Sequence, residues 1–181
     1  MRIRETELPG VLLIEPRRIE DARGFFMESW NDHVFAELGV NAAFVQDNHS
    51  RSRRDVVRGL HYQVGRPQGK LVRVSAGAVF DVAVDLRLDS ANFGKWTGRR
   101  LSAENAVMMW VPPGFAHGFL CLEDNTDLLY KCTDYYAPEC ERAIAWDDPA
   151  LAIEWPLEGR HALLSPKDAA ASRLASSQVY A

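Results

Sequence analysis

Residues 80–87 read FDVAVDLR, with Phe80, Val82, Val84 and Leu86 alternating against Asp81, Ala83, Asp85 and Arg87. Successive side chains of an extended chain point to opposite faces, so this pattern predicts a β-strand. Working outward, GKLVRVS (69–75) precedes it, and residues 106–111, 118–122 and 128–135 continue the strand-like pattern. Gly65-Arg66-Pro67, Gly77, Gly94 and Pro112-Pro113-Gly114 punctuate these runs. Many short strands with regular turns imply an all-β sandwich or barrel, whose mouth and interior can hold one ligand. Helices are expected only at the margins. One spans Asn31 to Leu38, with Asp32 as its cap, Val34, Phe35 and Leu38 as its apolar face, and Gly39 as its stop. The other is a short Ala-rich segment from Lys167 to Ser176. The strand face bearing Asp81, Asp85 and Arg87 reads first as a solvated outer surface; the competing account is a wall of a polar cavity.

The chain has 181 residues, which predicts a single domain over residues 1–181. Its 47% apolar and 25% charged residues are those of a soluble globular protein. With 21 basic and 25 acidic residues the net charge is −4, which argues against wrapping nucleic acid. No apolar run reaches the ~18 residues of a membrane span, and the N-terminal MRIRETELPG has no apolar signal core. A cytoplasmic protein is expected. Cys121, Cys132 and Cys140 are odd in number and form no CxxC pair, which argues against a disulfide framework or a structural zinc site.

Three regions are richer in polar and aromatic groups than solubility requires: DARGFFME (21–28), FVQDNHS (44–50) with RGLHYQ (58–63), and LYKCTDYY (129–136). A neutral imidazole is a natural general base near neutral pH, so His61 is a candidate, although a lone histidine is more often structural. His61-Tyr62-Gln63 and PPGFAH (112–117) are similar to the two halves of a cupin barrel. The second histidine of a metal-binding cupin is replaced by Gln63, and VGRPQG (64–69) contains no acid. His61 and His117 alone make a poor metal site, so no metal is expected. Lys70 begins a strand; inside a barrel it would need an anion, and otherwise it reads as a surface charge. Tyr130, Cys132, Asp134 and Tyr136 share one face by period two.

Taken in order along the chain, DARGFFMESW (21–30), FVQDNHS (44–50), RGLHYQ (58–63), PQGKLVR (67–73), VFDVAVDLR (79–87), WVPPGFAHGF (110–119), YKCTDYYAPE (130–139) and LLSPKD (163–168) resemble the dTDP-4-dehydrorhamnose 3,5-epimerase family. The resemblance covers Val11 to about Asp168. It implies a cupin-type jelly-roll β-barrel with a few short flanking helices, a homodimer, and a dTDP-sugar substrate. It implies His61 as general base, Asp168 as its acidic partner, Tyr130 as the acid on the opposite sugar face, and Lys70 as the enolate stabiliser. It further implies that Arg23, Phe25, Glu28, Gln46, Asn48, Arg58, His117 and Tyr136 line the substrate site. Among these, Arg23 and Arg58 suit a diphosphate. Phe25 and Tyr136 suit the thymine or the sugar. No redox change is involved and no GxGxxG or GxxxxGK[ST] segment occurs, so no cofactor is expected. Alternatives are a single-centre epimerase or ketoisomerase on a related dTDP-deoxysugar, a sugar-nucleotide-binding cupin without turnover, and a metal-dependent cupin oxygenase or isomerase. Cys140 departs from the histidine that many relatives carry, His161 is given no role, and His33 reads as a helix-surface residue.

Overall fold

In the computed structural model, which describes residues 1–181, the predicted alternation becomes two antiparallel sheets. The first contains, in spatial order, β1 (Arg2–Glu5), β2 (Leu12–Glu15), β10 (Met108–Val111), β7 (Lys70–Ala76), β12 (Thr126–Cys132) and β5 (Gln46–Ser52). The second contains β13 (Glu141–Ala143), β6 (Val57–Gln63), β11 (Phe115–Cys121), β8 (Ala78–Asp85) and β9 (Trp96–Ser102). A separate hairpin pairs β3 (Arg18–Asp21) with β4 (Gly24–Met27) and with no other strand. The architecture is a cupin-type jelly roll.

Strand β8 explains why FDVAVDLR has so little polar surface. Val79 and Ala83 belong to the core between the sheets, with Val72, Val74, Phe115, Phe119 and Leu128. Val82, Val84 and Leu86 face the other way, where Ile144, Leu151, Trp155, Leu174 and Tyr180 cover them. Each such buried aliphatic side chain is worth about 1.5–3 kcal/mol of transfer free energy. The solvated outer face is therefore overturned: Asp81 and Asp85 are both fully buried. A charge withdrawn from water must be paired. Asp81 meets His117 inside the barrel, while Asp85 accepts hydrogen bonds from the Arg87 backbone and guanidinium and from the Ser90 hydroxyl. Arg87 lies past the end of β8.

Other boundaries move for local reasons. Helix α1 (Asp32–Glu37) is capped by Asn31, not Asp32, because the Asn31 carboxamide oxygen accepts from the Val34 N–H. Its Phe35 packs on Trp30, which packs on Phe44, which meets Trp110 edge-on. The C-terminal helix shrinks to α2 (Pro166–Ala169), followed by a single 3₁₀ turn over Leu174–Ser176. Alanine content alone does not hold a short helix. Instead the chain extends at Ser172, whose carbonyl accepts from the Ala145 N–H. Strand β12 stops at Cys132, so Asp134 and Tyr136 do not continue the face of Tyr130. The Arg66 guanidinium draws Asp134 aside and the Gly69 N–H donates to the Thr133 hydroxyl, bending the chain there.

Two glycines fit β6 tightly against β11. Gly59 has φ +126°, and a Cβ on it would lie 2.6 Å from the Gly118 Cα. A Cβ on Gly118 would lie 2.9 Å from the Arg58 carbonyl oxygen. The register shifts between His117 and Phe119, leaving His117 directly opposite His61.

Candidate active site

The two histidines on adjacent strands are each bound by a buried carboxylate, which arrives from a different direction. His61 Nε2 lies 2.6 Å from Asp168 Oδ1, supplied by α2. His117 Nε2 lies 2.8 Å from Asp81 Oδ1, supplied by β8. Asp168 is placed by its helix cap, since its N–H donates to the Ser165 hydroxyl. Burial alone would raise its pKa, but the bond to His61 and the charges of His61 and Lys167 hold it below the ordinary carboxylate value. The second oxygen of Asp81 is buried and unpartnered.

The opposing sheet contributes Lys70 from β7 and Tyr130 from β12. Lys70 is 8% exposed, so it is not the surface charge that its position at a strand start suggested. Its ammonium has one neighbour within hydrogen-bonding range, the His61 carbonyl at 3.4 Å. Burial pulls its pKa down, against the opposing pull of Cys132, Asp81 and Glu141. Burial also pushes the Tyr130 hydroxyl above its ordinary value, with Cys132 adding and Arg58 opposing. Burial thus favours the protonated Tyr130 hydroxyl and works against a charge on Lys70.

These side chains line two cavities. One, of about 440 Å³, is lined by His61, Lys70, His117, Tyr130 and Asp168 together with Arg58. The other, of about 290 Å³, shares His61, Lys70 and Tyr130 and adds Gln46, Asn48, Tyr136 and Glu141. Gln46 donates to the Asn48 carboxamide oxygen and accepts from the Tyr136 N–H, so these three are fixed as a unit. Arg58 donates to the Ser52 hydroxyl. Nine of the twelve residues singled out in the sequence therefore surround these connected spaces.

Arg23, Phe25 and Glu28 line neither cavity. Arg23 and Phe25 sit on the β3–β4 hairpin and Glu28 just beyond it. The Arg23 side chain is 90% exposed and is bound only to Asp21. Phe25 is half-exposed beneath the Arg18 guanidinium, and Glu28 accepts from Asn31. Among the lining residues given no role by the sequence reading are the charged or polar Arg53, Glu141, Lys167 and Ser165. Asp81, read first as solvated, fits the competing account of a polar interior wall; it is an acid in the middle of an otherwise apolar strand.

No group of three or more His, Cys, Asp or Glu side chains is arranged to hold a metal ion. Gln63, at the position where a cupin metal site carries its second histidine, spends its amide on the Arg66 and Tyr135 carbonyls and the Ala137 N–H. The arrangement can take a proton on His61 and give one from Tyr130. It can also neutralise an anion at Lys70.

Residues 5–176 match the family model described as dTDP-4-dehydrorhamnose 3,5-epimerase. A Pseudomonas aeruginosa protein of that name is 57% identical over 169 residues, covering 93% of each chain. A Legionella pneumophila dTDP-6-deoxy-D-glucose-3,5-epimerase, solved in complex with dTDP-4-keto-L-rhamnose, superposes with a TM-score of 0.95 at 53% identity. That match covers 98% of this chain and 94% of the other. The dTDP-4-dehydrorhamnose 3,5-epimerase of Elizabethkingia anophelis superposes with a TM-score of 0.90 at 45% identity, covering 96% of each chain.

Proposed function

This chain belongs to the dTDP-4-dehydrorhamnose 3,5-epimerase family, and from that premise we propose how its residues turn dTDP-4-dehydro-6-deoxy-D-glucose into dTDP-4-dehydro-L-rhamnose. The ketone acidifies the hydrogens on C3 and C5, because the carbanion left by either spreads onto the carbonyl oxygen. His61 removes the proton. Asp168 orients the imidazole and stabilises its charged form. Lys70 meets the oxygen that becomes an enolate, in a site too dry to weaken the attraction. Tyr130 returns a proton from the opposite face, and the centre inverts. Two inversions complete the reaction, with no change in oxidation state and so no redox cofactor.

One observation carries this reading. His61 on one sheet and Tyr130 on the other line the same cavity as a buried, nearly unsolvated Lys70. A module that only binds sugar nucleotides needs neither opposed proton carriers nor a buried cation. Gln46, Asn48, Arg58, His117 and Tyr136 hold the nucleotide and sugar around that centre.

Arg23, Phe25 and Glu28 act in the site of a second copy, in a homodimer. Support comes from the hairpin, which presents Phe25, Phe26 and Ile19 to solvent at 53%, 69% and 55% exposure. Exposed aromatic groups on a self-paired hairpin are interface material. No helix of the chain is long and apolar enough to cross a membrane. The three cysteines are free thiols, in keeping with a single cytoplasmic domain over residues 1–181 that needs no disulfide.

The test is incubation with dTDP-4-dehydro-6-deoxy-D-glucose in deuterated water, followed by NMR. Deuterium at both C3 and C5, with L-sugar formed once a reductase is added, is the expected result. Deuterium at one carbon would replace this reading with a single-centre epimerase, and none would overturn catalysis on this substrate.

A further inference from the structure

Gln63 stands where a metal-binding cupin carries its second histidine, and here its carboxamide is committed entirely to backbone. The residue ends β6 and is 3% exposed. Its Nε2 donates to the Arg66 carbonyl at 2.9 Å and to the Tyr135 carbonyl at 3.2 Å. Its Oε1 accepts the Ala137 N–H at 2.8 Å. The Tyr135 carbonyl belongs to the peptide before Tyr136, and the Ala137 N–H to the peptide after it. One side chain therefore fixes both peptide planes that set the φ and ψ of Tyr136. Nothing else in the local structure does so, because residues 133–137 belong to no strand or helix and their polar groups have no ladder to join. The Tyr136 N–H is held in turn by Gln46 Oε1. Tyr136 itself is 51% exposed at the edge of the second cavity. Gln63 is also pinned from behind, since the Tyr180 hydroxyl donates to its carbonyl at 2.8 Å. Tyr180 is anchored by its own backbone bonds to Leu86 and Leu88.

We propose that Gln63 is a positioning residue that holds the Tyr136 ring as a preformed face for the nucleotide base. The inference rests on reading Tyr136 as a residue that holds the nucleotide. A half-exposed ring offers a π face to a planar base. A ring on an irregular segment must be ordered at binding unless something orders it beforehand, and ordering it beforehand removes that cost from the binding step. The carboxamide does this without touching the groups that move protons, so its loss falls on nucleotide affinity.

Gln63→Met keeps the length of the side chain and removes all three bonds. Thermal stability, the Kd for dTDP alone, and deuterium incorporation into dTDP-4-dehydro-6-deoxy-D-glucose report on it. The expected result is a folded protein whose dTDP Kd rises several-fold and whose loss of exchange appears in KM more than in kcat. Tyr136→Ala should raise the dTDP Kd as well. Adding Gln63→Met to Tyr136→Ala should raise it no further, because Gln63 acts through that ring. A folded Gln63→Met protein with wild-type dTDP affinity overturns the proposal, as does a double variant whose loss is the product of the single losses. If Gln63→Met does not fold, Gln63→Asn, too short to span the two peptide planes, decides in its place: a raised dTDP Kd supports the proposal and a wild-type Kd overturns it. Tyr136→Ala protein with wild-type dTDP affinity overturns the reading of Tyr136 and the proposal with it, a result distinct from failure at Gln63 alone.

Discussion

Asp168→Asn tests the base most directly, because it removes a charge and almost no volume. The carboxylate is 4% exposed and sits 2.6 Å from His61 Nε2, a short charge-assisted contact. Hydrogen bonds to charged partners contribute about 1.5–3 kcal/mol. Asparagine retains an oxygen for the imidazole but loses the anion that favours the protonated ring. At 1.36 kcal/mol per factor of ten, the proton-abstraction step should slow by about 10- to 160-fold. Folding stability should change in its pH dependence. Asp168 has a depressed pKa in the folded state, so its contribution is present above the unfolded-state value and lost as pH falls through the folded one. The variant should lack that acid-side loss. Deuterium wash-in followed by NMR across pH measures the first effect and thermal melts the second. An Asp168→Asn protein with wild-type exchange would refute the pairing as the source of basicity.

Lys70→Met should abolish detectable epimerisation with the fold intact; Lys70→Arg should retain some activity and lose less of it on the alkaline side, since burial brings the lysine closer to losing its charge and guanidinium keeps its own. Rate profiles of the two variants against pH decide this, and a Lys70→Met enzyme of normal rate sinks the enolate role. Equal amounts of Arg23→Ala and His61→Ala protein, mixed and allowed to exchange subunits, should recover about a quarter of wild-type activity, because half the dimers are mixed and each has one intact site. No recovery, with mixed dimers verified by mass, removes the hairpin from the partner's site. Gly59→Ala should cost at least about 3 kcal/mol by calorimetry, since it combines a left-handed backbone with a 2.6 Å approach to Gly118; a stability within 1 kcal/mol of wild type, an order-of-magnitude margin, would show that the strands can part.

The sequence made the sheets legible because period-two alternation survives burial on both faces, as in FDVAVDLR. It did not show which face was wet. Asp81 is polar in sequence and interior in space, and only the return of β11 alongside β8 brings His117 to satisfy it. The residues proposed as base, partner and acid were marked only by ordered segments scattered over more than a hundred residues; spacing alone carries no geometry that would join His61 to Asp168. Lys70 was misread without that context because a strand start does not reveal depth.

The self-paired β3–β4 hairpin has a consequence for redesign. Its hydrogen-bond ladder ends within itself, and Arg18 reaches the barrel through one side-chain bond to the Glu104 carbonyl. A segment attached so lightly can be transplanted between homologues without disturbing the register of either large sheet. On the proposed role of Arg23, Phe25 and Glu28, grafting this arm should change how substrate is held while the barrel residues are left as they stand.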